Sequence, residues 1–160
     1  MQKNIEIIKV VSNDIDTISH MEREIFEDFW SRESIVSECK NKFSHIYMCN
    51  LCIQIGDSRF EKRPLAYYFA NYIDGEMSLN RIGVLKEFRR ENIGTSLMGH
   101  FMNLGKELGA KSYILEVSVN NKAAINLYEK FAFKIIDKRK NYYQKAHEDA
   151  YIMQKGSLYV

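Results

Sequence analysis

A single proline and eight glycines in 160 residues leave no obvious linker. No repeat and no low-complexity tract divides the chain. Three cysteines, an odd count, make no disulfide framework and suit reduced thiols. No run approaches about 18 consecutive apolar residues, so no membrane span and no membrane partner is expected. Behind Lys3 there is no long apolar stretch of the kind a signal peptide needs, and the expected compartment is the cytoplasm. Charge of one sign is also scarce. The net +2 is too small to make nucleic acid the expected partner, though it suits an anionic ligand held by a local basic cluster. The four histidines, His20, His45, His100 and His147, show neither metal spacing nor a nucleophile motif. His147 reads as exposed surface or a substrate contact, and no metal is expected.

What remains is an ordinary globular composition, 46% hydrophobic and 28% charged. The length fits one domain able to bury roughly 70% of its unfolded surface without a staple. We expect that domain over residues 1–154, with a tail at 155–160. Cys49 and Cys52 form a C-x-x-C inside a β-like run from Ile46 to Ile55. Three residues apart on a strand, they point to opposite faces, so they read as small buried hydrophobes rather than a metal or redox pair.

Strands are expected at Ile5–Val11, Tyr47–Ile55, Leu65–Tyr72, Met77–Val84, Tyr113–Val117, Phe133–Tyr143 and Ala150–Gln154. Ser12, Asn13 and Asp14 offer caps for a helix whose apolar stripe is interrupted only by Glu22. Ser31 caps a second, short helix through Val36. Ile93, Leu97, Met98, Phe101, Leu104 and Leu108 form a long helical stripe with Gly109 at its C′ position. Asn120 or Asn121 opens a fourth helix. Strand, long helix and strand in succession predict a parallel βαβ crossover. The fold class is therefore α/β (α+β): a mixed, mostly antiparallel, twisted sheet of about seven strands with four helices.

The most informative stretch runs from Ile82, Gly83 and Val84 to Arg89, Arg90, Glu91, Asn92, Ile93, Gly94 and Thr95. A strand ends, a turn carries two arginines, and a helix begins near a glycine. Free amides and the helix dipole favour a phosphate there, and Gly94 permits close backbone approach. The bland alternative is a solvated basic surface. Neither G-x-x-x-x-G-K-(S/T) nor G-x-G-x-x-G is present, so ATP and NAD sites are unsupported.

This stretch resembles the acyl-CoA motif of the GNAT acetyltransferase superfamily, (Q/R)-x-x-G-x-(G/A), with Asn92 in place of the first glycine. Asn tolerates the left-handed conformation such a turn needs. Leu115-Glu116-Val117 followed by Asn121, Ala124, Leu127, Tyr128 and Phe133 is similar to a second family block, with Ala132 replacing its usual glycine. Arg139 to Tyr143, Glu148 to Met153, and Phe29-Trp30-Ser31 resemble one branch, the ribosomal-protein-alanine N-acetyltransferases. The resemblance implies acetyl-CoA as co-substrate, bound by residues 82–84, 89–95 and Asn121. It implies Glu116 as base, and a groove for a chain end between Trp30 and the final hairpin near Tyr142.

The residues themselves leave alternatives. Asn121 and Tyr128, seven apart, lie within roughly 20° of one helix face. Asn121 either binds ligand or caps the helix. Tyr128 is either packed core or a proton donor to a departing thiolate. Glu116 shares a strand face with Ile114, opposite Tyr113, Leu115 and Val117. It is a base in partly apolar surroundings, with its pKa raised, or a strand-end charge reaching solvent. The Tyr142-Tyr143 pair lines a groove or packs a strand. For direct attack, with an oxyanion stabilised by a backbone N–H near Val84, an α-amine near pKa 8 is about 3 kcal/mol easier to deprotonate at neutral pH than a lysine near 10.4. The expected acceptor is therefore a protein N-terminus, such as that of a ribosomal protein. The runners-up are a small amine (aminoglycoside or polyamine) and a non-catalytic acyl-CoA binding module. The sequence sets no oligomeric state.

Overall fold

A computed structural model describes residues 4–156. The periodicities of the sequence become, in order, β1 (Ile5–Lys9), α1 (Ile15–Ile25), α2 (Arg32–Lys40), β2 (Ser44–Ile55), β3 (Arg59–Ile73), β4 (Glu76–Val84), α3 (Ile93–Leu108), β5 (Ser112–Ser118), α4 (Lys122–Lys130), β6 (Lys134–Tyr143) and β7 (Glu148–Gly156). Short 3-10 turns at Ser12–Asp14 and Lys86–Phe88 precede α1 and α3. The sheet order is β1-β2-β3-β4-β5-β7-β6. The β1–β2, β5–β7 and β6–β7 pairs are antiparallel and β4–β5 is parallel, with α3 as the crossover a parallel pair requires.

Local chemistry fixes the element ends. Ser31 caps α2 by accepting from the Ser34 amide at 3.1 Å. Gly109, at φ 87°, ends α3 in the left-handed region that costs glycine nothing. Two elements are longer than their apolar pattern. α2 continues past Val36 through Ser37, Glu38, Cys39 and Lys40, and β3 begins six residues before Leu65. Both extensions are largely solvated, so no hydrophobic period marks them in the sequence.

By contacts the chain forms two compact units, Met1–Phe69 with Arg81–His100, and Ala70–Asn80 with Phe101–Val160. In the first, Ile18, Ile35, Leu65, Tyr67, Phe69, Leu97 and Met98 are buried. In the second, Phe101 meets Tyr113 edge-on at 5.8 Å, and the Tyr113 hydroxyl donates to the Met102 carbonyl at 3.0 Å. Gly105 makes that contact possible, since a Cβ there would sit 2.4 Å from the Tyr113 ring. β7 passes the expected domain end at 154: Lys155 and Gly156 pair with Tyr113 and Ser112. The rest of the expected tail, 157–160, lies outside the described residues.

Candidate active site

The basic turn before α3 adopts a shape that explains its composition. Arg90 and Asn92 have φ of 63° and 61°, both left-handed. Asn92 thus stands where the resembling motif has glycine, in the conformation that glycine would supply. The first helical bond of α3 runs from the Ser96 amide to the Asn92 carbonyl, 3.1 Å. The amides of Ile93, Gly94 and Thr95 precede it and lack an intrahelical acceptor. A 16-residue helix adds its positive end to the same place. Arg90, Glu91, Asn92 and Thr95 are exposed. Arg89 is exposed too, but its Nε donates to the Val84 carbonyl at 3.1 Å, which ties the turn to the end of β4. These features suit a phosphate. Gly83 serves packing as well: a Cβ would lie 3.0–3.2 Å from Ile25, Phe26 and Tyr67. Ile82 and Val84 flank it, half-buried.

In the second unit, β4 and β5 pair only from Glu76↔Ser112 to Leu79↔Leu115. Both strands continue past that last pair. Glu116 is the first β5 residue beyond it. Tyr113, Leu115 and Val117 are buried, and Glu116 lies on the other face as its parity requires. The expected apolar surroundings are absent. Glu116 is exposed, its side chain 34% accessible, because the final hairpin meets it with polar groups. The Tyr142 hydroxyl donates to Oε2, and Arg139 Nη1 donates to Oε1 at 3.3 Å.

Arg139 and Tyr142 are three apart on β6 and would point to opposite faces of a regular strand. They converge because β6 is irregular between them. Arg139 pairs with Ala150 and Tyr143 with Glu148, so β6 carries extra residues over this interval. Asn141, at φ 51°, breaks the alternation, and its amide donates to Asp149 Oδ1 at 2.7 Å. Bulges of this kind re-aim side chains beside active sites. The bond to Glu116 holds the Tyr142 phenol above its ordinary pKa. The Asn141 amide holds the Asp149 carboxyl below its own.

Tyr128 lies on α4 with its ring buried, tilted against Phe133 at 6.2 Å between centroids. The ring packs as a core residue does, and no hydrogen bond of its hydroxyl stands among the described residues. Burial pushes its pKa up. Asn121 takes the capping role: it precedes α4, and its Oδ1 accepts from the Ala124 amide at 3.2 Å. His147 sits in the β6–β7 turn, exposed and at φ 53°.

Sequence reasoning missed the network beneath Trp30. Glu22 is fully buried. Its Oε1 accepts from the Tyr67 hydroxyl (2.7 Å) and Arg81 Nε (2.8 Å), and its Oε2 from Arg81 Nη2 and the Trp30 amide, both 2.9 Å. Arg81 stacks on Phe26 at 3.6 Å and donates to the Asp28 carbonyl at 3.1 Å. Trp30 itself meets Phe69 edge-on at 5.1 Å. The loop from Phe26 to Ser31 is thus fastened from below. The polar break in the α1 stripe was the only available signal.

Comparisons with known proteins agree with the resemblance. The model of the acetyltransferase (GNAT) family matches residues 15–133. N-alpha-acetyltransferase 50 of Danio rerio is 28% identical over 98% of this chain and 90% of its own. The ribosomal protein bS18-alanine N-acetyltransferase of Salmonella typhimurium (strain LT2) is 36% identical over 58% of this chain and 64% of its own. The crystal structure of the ribosomal-protein-S18-alanine N-acetyltransferase from Escherichia coli shares the fold with a TM-score of 0.82, at 24% identity, over 98% of this chain and 99% of that one.

Proposed function

This chain belongs to the GNAT acetyltransferase family, and we propose that its acceptor is the N-terminal α-amine of a protein. Acetyl-CoA is the donor. What it supplies when bound is an activated acetyl carbonyl and a thiolate leaving group. The observation that carries the reading is Glu116, an exposed carboxylate just past the last β4–β5 pair. It accepts the proton of the attacking amine, directly or through a water. Tyr128, a phenol protonated at neutral pH, donates to the sulfur. The amides of 93–95 and the charges of Arg89 and Arg90 hold the pyrophosphate, with Ile82 to Val84 along the acyl arm. Asn121 offers its amide nitrogen to the same ligand, and Trp30 and Tyr142 are the residues we assign to the acceptor chain.

Two relatives named for N-terminal acetylation support a chain-end acceptor. The pKa difference between an α-amine and a lysine favours the same class for a single carboxylate base. A ribosomal protein is the acceptor we favour, and the cytoplasm, suited to three free cysteines, the compartment. Two lysine-free or blocked peptides test the reading by mass spectrometry. One has a free N-terminal Ala and no lysine; the other has a blocked N-terminus and an internal lysine. Acetylation of the first alone is expected. Acetylation of the second alone, or of a polyamine and neither peptide, would replace the reading with a lysine or small-amine acceptor.

A further inference from the structure

The base reading of Glu116 gives Arg139 no task beyond orientation, and its geometry points to one. We propose that Arg139 selects the acceptor, favouring a chain end with a carboxylate in its first two residues. The guanidinium takes that carboxylate while the terminal amine meets Glu116. This rests on the reading that the acceptor is a peptide amine.

Three observations carry it. First, a guanidinium has five N–H donors. Among the described residues Arg139 uses one side-chain hydrogen bond, the 3.3 Å contact to Glu116, and its side chain is 54% accessible. The remaining donors form the planar fork that fits a carboxylate bidentately. Second, an anion and a cation stand side by side at the reacting position. That is the complement of an ammonium with a carboxylate a few bonds away. Third, apart from Glu116 the nearby carboxylates are bonded elsewhere. Asp149 pairs with Lys138 at 3.5 Å, and the Asn141 amide and the Ser118 hydroxyl hold the Asp149 and Glu148 carboxylates in hydrogen bonds of their own, so neither bonds the Arg139 guanidinium. Lys140 adds to the positive side. A basic second residue would meet repulsion here.

The rival role for Arg139 is to hold Glu116 in place. Loss of that role would slow every acceptor alike, so the ratio between acceptors separates the two. The full chain and acetyl-CoA are assayed with lysine-containing and lysine-free peptides of free N-terminus, Ala followed by Glu, Gln or Lys. For the lysine peptide, modification is read at the α-amine by mass spectrometry. Free glutamate is run alongside, because an amino acid also offers an amine and a carboxylate. In the wild type, kcat/KM for the Glu peptide should exceed that for the Gln peptide by about fivefold, as expected for a half-exposed charge pair of good geometry. The Lys peptide should be slowest. Arg139→Gln should bring Glu and Gln together, and Arg139→Lys should keep part of the preference. Equal rates in the wild type, or a preference that survives Arg139→Gln, would overturn the proposal alone. Acetylation of free glutamate in place of the peptides, or of no peptide at all, would overturn it together with the chain-end reading.

Discussion

Two glutamates in this protein each hold one arginine and one tyrosine hydroxyl, and they are put to opposite uses. Glu22 is buried with Arg81 and Tyr67. Glu116 is exposed with Arg139 and Tyr142. The difference is capacity. An ionised carboxylate has about four lone-pair sites. At Glu22 all are taken, two donors on each oxygen, the fourth being the Trp30 amide. At Glu116 two are taken, so an amine or a water can still be received. The same three functional groups therefore make a closed network in one unit and an open carboxylate in the other, and the difference is the donor that the surrounding backbone adds.

The sharpest way to break the comparison is to remove each carboxylate in turn. Glu22→Ala removes the buried partner of Arg81 and Tyr67 inside the first unit. We expect a loss of about 3–5 kcal/mol of stability, read from the urea midpoint, a large share of the roughly 5–15 kcal/mol available to a domain. Glu22→Leu combined with Arg81→Met should recover part of it, because an apolar pair leaves no charge stranded while the Tyr67 hydroxyl and the Trp30 amide still lose their acceptor. Glu116→Gln should behave in the reverse manner. Turnover should fall about 10²-fold or more with the loss of the base, while the urea midpoint moves by less than about 1 kcal/mol, as for other exposed pairs. Tyr128→Phe should also reduce turnover about 10²-fold without weakening acetyl-CoA binding measured by calorimetry.

A smaller effect concerns the bulge that brings Arg139 and Tyr142 to Glu116. Asp149 is held below its ordinary pKa chiefly by the Asn141 amide. A group with a lowered folded pKa contributes stability that is complete above its unfolded value, about 3.9, and is lost as pH falls through the folded one. The Asn141 amide proton, followed by NMR from pH 6 downward, should therefore shift with a midpoint below 3.9. A midpoint at or above that value would show that Asp149 does not hold the bulge.

Much of this was legible in the sequence, for reasons that also explain the rest. The α3 stripe with Gly109 behind it, the Ser31 cap and the parity of Glu116 each depend on residues close in sequence, and all three stand in the structure. The left-handed turn before α3 was legible because Asn92 is one of the few residues able to take the conformation of glycine there. Glu22 was visible only as a flaw in the α1 stripe. Its partners lie 45 and 59 residues away, beyond any local pattern. Arg139 was read as part of a motif but not as a partner of Glu116, since a regular strand would have turned it or Tyr142 away. The bulge that unites them depends on Asp149, eight residues after Asn141.

Ala132 shows how the chain is constrained before it folds. It closes α4 at φ 65°, with no side-chain polar group to ease the left-handed conformation. In the native state that conformation costs about 1–2 kcal/mol. Glycine would remove the cost but would also widen the unfolded ensemble, returning about 0.4–1 kcal/mol to the denatured side. Ala132→Gly should thus raise stability by between nothing and about 1.6 kcal/mol, and it should do so while making the denatured chain looser. The alanine trades strain in the folded molecule against freedom in the unfolded one. A refolding measurement would find that balance divided between the two states, where a comparison of native contacts alone would find nothing.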